Sequence, residues 1–188
     1  TCAPSIHPVT LAALVRTESY YDPFVVRDNT LQQTFYPRTL QAAGELIERA
    51  QADHHKLAVG LMQVTSAWAR ELHMDVRALL DPCTNLAIGS EILAQNYLSC
   101  GRPSRDPADR LACALSLYWS GTQSRGGVYV NRVYRAAGSA VRVPETLGVT
   151  DGILGVQGAS MSSISQLSYN SQDLPIGADY SSTFDFPQ

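Results

Sequence analysis

One carboxylate near the start of the chain lies where it could act as an acid or a base. Glu18 ends a short segment in which Leu11, Leu14 and Val15 recur at helical spacing, and Asp22-Pro23 follows as a helix stop. The spacing predicts that Glu18 faces the interior, one turn after Leu14. Burial raises the pKa of a carboxyl, and a carboxyl that keeps its proton near neutral pH can serve as a general acid. A glutamate taken alone more often braces its helix, so the choice depends on the rest of the chain.

The remaining polar residues do not supply an obvious catalytic partner for Glu18. Enzymes that hydrolyse glycosidic bonds usually pair two carboxyls. Asp22 precedes a proline and is expected to brace a turn, which leaves Asp28 as the first candidate for a second carboxyl. None of the four histidines stands in a nucleophile motif.

The four cysteines predict disulfides rather than a metal site. Cys2, Cys83, Cys100 and Cys113 are spaced too widely for structural zinc, whose ligands come in pairs about two to four residues apart. We therefore expect no metal, no cofactor and an oxidising compartment. A bond between Cys83 and Cys100 is excluded because the helix predicted between them would hold them about 20 Å apart or more, whereas bridging needs Cα atoms within about 7 Å. Of the two pairings that remain, we favour Cys2 with Cys83 and Cys100 with Cys113.

Hydrophobic periodicity and capping residues predict an all-α fold of about six helices and no sheet. The predicted helices run from Val9 to Ser19, Pro37 to Ala50, Thr65 to Leu72, Asn85 to Leu98, Ala108 to Trp119 and Val128 to Ala137. Asn85 is expected to cap the fourth of these helices. Residues 24–33 are expected to form an irregular loop.

Charge divides the chain into two parts. All 14 lysine and arginine residues lie at or before Arg142, whereas residues 143–188 carry only acidic charges and are rich in serine and glycine. This predicts a folded domain over residues 1–142 and a flexible acidic tail over residues 143–188. There is no basic patch interleaved with aromatic residues, so nucleic acid is not an expected partner. No apolar run reaches the roughly 20 residues of a membrane span, and no export leader stands at Thr1, which is expected if one has been removed.

Four segments match, in order, the motifs of one enzyme family. Glu18-Ser19-Tyr20-Tyr21-Asp22-Pro23 resembles Glu-Ser-x-x-Asn/Asp-Pro, Gly60-Leu61-Met62-Gln63-Val64 resembles Gly-Leu-Met-Gln-Ile/Val, and the segment from Ala114 to Gly121 resembles Ala-Leu-Ser-Ala-Tyr-Asn-Ser-Gly. These are motifs of the lytic transglycosylases with a goose-lysozyme-like fold (SLT domain). The stretch from Leu80 to Gly89 resembles Asp-Pro-Cys-x-Asn-Leu-x-x-Gly of the branch associated with type IV secretion. The resemblance covers roughly Cys2 to Tyr134 and implies a lysozyme-like helical domain with a substrate groove.

The resemblance implies cleavage of peptidoglycan without water. In this family a single glutamate, matched by Glu18, acts as acid and then as base at the β-1,4 bond between N-acetylmuramic acid (MurNAc) and N-acetylglucosamine (GlcNAc). The C6 hydroxyl of MurNAc attacks C1 and leaves a 1,6-anhydro sugar, so no second carboxyl is needed. Two alternatives are retained. One is a hydrolase that uses Asp28, and the other is a non-catalytic glycan-binding assembly factor.

The matched motifs also imply supporting residues. Tyr118 is expected to hydrogen-bond the Glu18 carboxyl, Gln63 to bind a sugar N-acetyl or hydroxyl group, and Ser19 to form a hydrogen bond near the acid. Met62 is expected either to line the glycan groove or to belong to the core.

Two positions depart from the family pattern. Arg27 stands where many relatives have a small hydroxyl residue, and it could bind a carboxylate of the peptidoglycan. Trp119 replaces the asparagine that usually follows the tyrosine, and it could stack on a sugar ring. Both could equally be packing or surface residues.

The cellular setting also follows from the resemblance. It implies a periplasmic enzyme that acts on glycan strands and opens the cell wall locally for assembly of a type IV secretion system. The acidic tail would then be free to contact components of that apparatus.

Overall fold

Helices dominate the part of the chain that the structure describes. The computed structural model describes residues 2–3, 5–101 and 106–138. These residues form six α-helices, a 3-10 helix and a small four-stranded sheet. In chain order the elements are α1 (Pro8–Ser19), β1 (Val26–Asp28), β2 (Gln33–Phe35), α2 (Leu40–Ala52), β3 (Leu57–Val59), β4 (Val64–Thr65), α3 (Ser66–Glu71), the 3-10 helix (Val76–Leu80), α4 (Pro82–Ser99), α5 (Pro107–Ser120) and α6 (Gly127–Ala136). The expected helical class is confirmed, and all six predicted helices are found.

Aspartate and proline set the starts of two central helices. α4 begins at Pro82 after Asp81, and α5 begins at Pro107 after Asp106. Each aspartate accepts a hydrogen bond from a backbone N–H of the first turn, at 2.8 Å in α4 and 2.7 Å in α5. Proline is tolerated at this position because the N–H groups of a first turn have no acceptor within the helix. Such local signals explain why the helices could be located from the sequence.

The predicted absence of a sheet was wrong. The strands are antiparallel in the order β2, β1, β3, β4, with Val26 opposite both Phe35 and Val59, and Val59 opposite Val64. Each strand has only two or three residues. That is too short for the alternation of apolar and polar residues that identifies a strand in a sequence.

Two disulfides attach the chain start and α5 to the two ends of α4. Cys2 is bonded to Cys83 with Cα atoms 5.0 Å apart, and Cys100 is bonded to Cys113 with Cα atoms 5.9 Å apart. This is the pairing that the sequence analysis favoured. The segment before α1 and the helix α5 are therefore both covalently tied to α4.

A close approach between helices fixes where α6 begins. α6 packs on both α1 and α5, while α5 also packs on α4. A Cβ atom at Gly126, just before α6, would lie 2.6 Å from Ser116 Cα, so only glycine permits this contact. The Ser116 hydroxyl accepts a hydrogen bond from Gly126 N at 2.9 Å. α6 then buries Tyr129 and Tyr134 in the core.

A fully buried side chain of α4 holds the loop 60–63 between β3 and β4. Asn85 Oδ1 accepts from Met62 N, and Asn85 Nδ2 donates to Val59 O and Leu79 O, each at 2.8 Å. Gly60 has a φ of +78°, and a Cβ atom there would lie 2.4 Å from Asn85 Nδ2. Asn85 was expected to cap its helix. It lies inside the helix instead and satisfies backbone groups of three other segments.

The structure does not describe the predicted tail or its boundary with the folded domain. The boundary at residue 142 and the acidic tail over residues 143–188 lie outside the described residues. Within the described part, no helix is both long and apolar enough to cross a membrane. The same residues contain no cluster of three or more histidine, cysteine, aspartate or glutamate side chains that could hold a metal ion.

We expect Asn85→Ala to lower the free energy of unfolding by about 3 kcal/mol or more, because buried backbone groups of Val59, Met62 and Leu79 would lose their partners. Urea denaturation of the oxidised protein, followed by circular dichroism, measures this loss. Asn96→Ala, at a partly exposed position of the same helix, is the matched control and should not destabilise the protein. A loss below about 1 kcal/mol for Asn85→Ala would contradict the role given to its amide.

Candidate active site

Glu18 lies in the last turn of α1, where a side chain of α6 contacts its carboxyl. The hydroxyl of Tyr129 donates a hydrogen bond to Glu18 Oε1. Tyr129 is buried and Glu18 is partly buried, so the contact is largely shielded from water. Because Tyr129 occupies Oε1, the proton of a neutral Glu18 belongs on Oε2. The contact therefore orients the carboxyl and leaves one oxygen to exchange a proton.

Burial raises the pKa of Glu18 from its ordinary value of 4.5 to about 7, because desolvation penalises the carboxylate. The Tyr129 hydrogen bond and the positive charge of Arg132 on α6 act in the opposite direction, but less strongly. Near neutral pH both the acid and the carboxylate are therefore populated. This suits a group that gives a proton in one step and accepts one in the next.

Tyr118 is close to Glu18 but bonds elsewhere, which corrects a prediction from the sequence. Its hydroxyl donates to Met62 O at 2.7 Å, whereas Tyr129 holds the carboxyl. Burial, followed by the charge of Glu18, raises the pKa of both tyrosines well above the ordinary value, so both hydroxyls stay protonated donors. Tyr118 thus fixes the loop 60–63 beside the acid and does not orient the acid directly.

Ser19 joins the end of α1 to the same loop. Its buried hydroxyl lies 2.9 Å from Leu61 O and 3.1 Å from Val15 O, so a single hydrogen is shared between its own helix and the loop. This is a hydrogen bond next to Glu18, of the kind expected from the motif. It fixes the backbone of the residue that follows the acid.

Two loop residues expected at the groove make structural contacts. Met62 is fully buried, and a Cβ atom at Gly89 would lie 2.6 Å from its sulfur, so Met62 belongs to the core and not to a groove surface. Gln63 Nε2 donates to Gly60 O at 3.0 Å and to Val25 O at 3.2 Å, which uses both hydrogens of the amide nitrogen. Among the described residues nothing donates to Gln63 Oε1. That oxygen could accept a hydrogen bond from a substrate hydroxyl or amide.

Arg27 lies on β1 with its guanidinium bonded within the β1–β2 hairpin. It donates to Asn29 Oδ1 at 3.2 Å, to Gln32 Oε1 at 3.1 Å and to Thr34 Oγ1 at 3.1 Å. These contacts give Arg27 a bracing role in the hairpin. They add no support for the predicted contact with a substrate carboxylate.

Asp28, the candidate second carboxyl, is buried and fully engaged. Its Oδ1 accepts from Thr30 N and Leu31 N at 2.9 Å each, and its Oδ2 lies 2.6 Å from His55 Nδ1. Desolvation alone would raise the pKa of Asp28, but the hydrogen bonds from Leu31, His55 and Thr30 together lower it. Asp28 therefore braces the turn after β1 and is a poor general base.

Three exposed aromatic side chains lie at or just beyond the ends of α1 and α5. Tyr20 and Tyr21 follow the last turn of α1 in left-handed backbone conformations, with φ of 52° and 67°. Trp119, near the end of α5, stacks on Tyr129 with ring centroids 5.9 Å apart and ring planes 14° from parallel. Of these three, only Trp119 is linked to Glu18, through Tyr129. The Tyr21 hydroxyl instead donates back to a backbone carbonyl oxygen of α1. An exposed indole near an acid suits ligands with polar edges and apolar faces.

Tyr129 and Arg132 were not among the site residues predicted from the sequence. They stand about one turn apart on α6, outside every matched motif. The amphipathic pattern of α6 places Tyr129, Val130 and Val133 on one face, which predicts burial. It does not predict which helix that face meets, and only the packing of α6 on α1 brings Tyr129 to Glu18.

Comparisons with known proteins agree on one family. The profile described as Transglycosylase SLT domain matches residues 1–133. Protein virB1 of Agrobacterium fabrum (strain C58) is 37% identical over 139 residues, which are 72% of this chain and 56% of the relative. Protein virB1 of Rhizobium radiobacter is 32% identical and covers 74% of this chain and 59% of the relative. Type IV secretion system protein virB1 of Brucella abortus biovar 1 is 28% identical and covers 66% of this chain and 53% of the relative.

The chain spans somewhat more than half the length of the curated relatives that it matches. No solved structure matches it. Because the matched profile covers most of the chain, including both Glu18 and the tyrosine that holds it, the chain belongs to the transglycosylase SLT domain family, which confirms the resemblance found in its motifs.

Proposed function

We propose that this protein is a lytic transglycosylase that cleaves the β-1,4 bond between MurNAc and GlcNAc in peptidoglycan and leaves a 1,6-anhydro-MurNAc end. The observation that carries the proposal is Glu18, a carboxyl whose pKa is raised to about 7 and whose Oε1 is held by Tyr129. Family membership supports the same class of reaction.

In the first step Glu18 acts as a general acid. The neutral carboxyl gives its Oε2 proton to the glycosidic oxygen while the bond from that oxygen to C1 of MurNAc breaks. The bonding electrons stay with the oxygen, so GlcNAc leaves with a hydroxyl and positive charge develops at C1. The N-acetyl group of MurNAc shares this charge, and the new Glu18 carboxylate stabilises it electrostatically.

In the second step the Glu18 carboxylate acts as a base. It takes the proton of the C6 hydroxyl of MurNAc while O6 forms a bond to C1. The acid is regenerated and no water is consumed. A pKa of about 7 suits both steps, because neither the loss nor the recovery of the proton is strongly uphill near neutral pH.

The state of the other carboxyls favours this mechanism over hydrolysis. Inverting and retaining glycosidases usually use a second free carboxylate near the cleaved bond. Both oxygens of Asp28 are engaged by donors of its own hairpin and by His55. Asp22 accepts from Phe24 N at 2.9 Å and braces the turn after α1. A mechanism that uses Glu18 alone does not require either of them.

We place the enzyme in the periplasm, where it would open the cell wall locally for assembly of a type IV secretion system. The relatives named virB1, one of them named as a type IV secretion system protein, support this setting. Two disulfides fit an oxidising compartment. In the same proposal, the acidic segment 143–188 contacts components of the secretion apparatus.

Digestion of purified peptidoglycan should release muropeptides with 1,6-anhydro-MurNAc ends, lighter by one water than hydrolysis products. Mass spectrometry distinguishes the two classes. Glu18→Gln should slow release by about 100-fold or more, because the amide cannot give the proton. Glu71→Gln, an exposed glutamate on α3, is the matched control and should digest at the wild-type rate. Reducing ends from the wild type, or unchanged release by Glu18→Gln, would overturn the mechanism.

The rate should fall as the pH rises through about 7, because cleavage begins with protonated Glu18. Tyr129→Phe removes a hydrogen bond that lowers the pKa of Glu18, so the alkaline limb of the kcat/KM profile should move to higher pH. The maximal rate should drop about 10-fold to 100-fold because the carboxyl loses its orientation. Tyr36→Phe, an exposed tyrosine, should leave the profile unchanged. An alkaline limb that does not move in Tyr129→Phe would contradict the contact.

Glu18 should also make stability depend on pH. Its folded pKa is raised above its ordinary value, so its contribution is fully present below about pH 4.5 and is lost as the pH rises through about 7. Glu18→Gln should therefore be more stable than the wild type at pH 8, by about 3 kcal/mol, and the difference should shrink towards pH 4.5. Urea denaturation of both proteins across this range measures it, because other titrating groups cancel in the comparison. A difference that is independent of pH would refute a raised pKa.

A further inference from the structure

Trp119 combines high exposure with a contact to the tyrosine that holds Glu18. It is 58% exposed although tryptophan is usually well covered. One face of its ring is stacked on Tyr129, with centroids 5.9 Å apart and planes 14° from parallel. Tyr129 in turn donates to Glu18 Oε1. One aromatic ring therefore separates the exposed indole from the carboxyl that exchanges the proton.

The end of α5 that carries Trp119 is anchored on both sides. The preceding residue, Tyr118, donates to Met62 O at 2.7 Å. The following residue, Ser120, has its hydroxyl 2.8 Å from Ser116 O, and Gly121 ends the helix in a left-handed conformation. Trp119 is thus presented by a rigid backbone. A ring held in this way loses little conformational freedom when a ligand covers it.

We propose that Trp119 is a stacking platform for a hexosamine ring of the glycan strand, and that covering it fixes Tyr129 and hence the orientation of Glu18. This inference rests on the proposed function, because it assigns a sugar contact within the same site. A pyranose ring presents a face of C–H groups that matches a flat aromatic surface, while its hydroxyls remain at the edge. Trp119 would bind substrate, and Tyr129 would be a positioning residue.

The link to Glu18 follows from the two contacts of Tyr129. Its ring is offset-stacked against the indole and its hydroxyl holds the carboxyl, and its buried surroundings leave it little room to move. A sugar on the outer face of Trp119 would press the indole onto this ring and restrict both. Loss of the indole should therefore weaken binding and also loosen the donor that orients Glu18.

Binding can be measured without turnover in a Glu18→Gln background, by calorimetric titration with the tetrasaccharide of β-1,4-linked GlcNAc. Trp119→Ala should weaken the affinity about tenfold, and Trp119→Tyr, which keeps a stacking face, should stay within about threefold. Leu98→Ala is the matched control, because Leu98 is also 58% exposed but lies at the end of α4. It should bind normally. With Trp68→Phe added, Trp119 is the remaining tryptophan, and its fluorescence should change on titration.

The coupling between Trp119 and Tyr129 is measured from the rates at which the active protein and its variants digest peptidoglycan. Trp119→Ala should raise KM and also lower kcat, and its effect on kcat/KM should be smaller when Tyr129→Phe is already present. Thermal unfolding checks that each variant is folded, and Trp119→Tyr should restore most of the activity. Additive effects of the two substitutions would overturn the coupling.

The two proposals fail in different ways. Wild-type release of 1,6-anhydro products together with unchanged affinity and KM in Trp119→Ala would overturn the platform and leave the enzymatic function standing. Loss of saccharide binding in Trp119→Ala, with no products from the wild type, would support the platform and overturn the enzymatic function.

Discussion

Gly60 and Met62 of the loop 60–63 are buried and its other two residues are partly buried, so the backbone polar groups of this loop have little access to water and need partners within the protein. Three helices supply them. Ser19 on α1 contacts Leu61 O, Asn85 on α4 binds Met62 N, and Tyr118 on α5 binds Met62 O. The positions of these helices are therefore not independent, because each is tied to the same short segment. The motif that contains the acid and the motif that contains the loop meet at this point, which explains why both are needed to build one site.

The packing of α1 against α6 both raises and lowers the pKa of Glu18. Packing α1 against α6 removes water from the carboxyl and raises its pKa, while the same packing brings the Tyr129 hydroxyl and the charge of Arg132, which lower it. Desolvation is the larger effect, so the pKa comes to about 7 and does not return to its ordinary value. A donor that binds the carboxylate limits the rise and also fixes the oxygen that carries the proton. Burial of the partly ionised Glu18 carboxyl lowers the stability of the protein near neutral pH. The same burial keeps part of the carboxyl protonated there.

Several buried or partly buried polar residues serve the framework that surrounds this acid. Tyr118, Asn85 and most of the Gln63 amide are used to hold backbone, and Asp28 is used to brace a hairpin turn. In the proposed function, contact with a ligand falls to groups that these framework contacts leave unused. These are Glu18 Oε2, the Gln63 side-chain oxygen and the exposed ring of Trp119. A site of this kind is rigid in its polar parts and offers flat apolar surface at its edge.

The sequence by itself determined the helices, the family and Glu18 as the candidate acid, because caps, periodicity and short motifs depend on residues within a few positions of one another. It excluded one disulfide pairing and left two, and the structure has the favoured one. Tertiary structure decided the rest. The sheet escaped prediction because strands of two or three residues carry no period, and Met62 and Asp28 showed their roles only when their neighbours were known. The tyrosine that holds Glu18 stands 111 residues away from it. No local pattern encodes a contact over that separation, because it exists only once α1 and α6 have packed together.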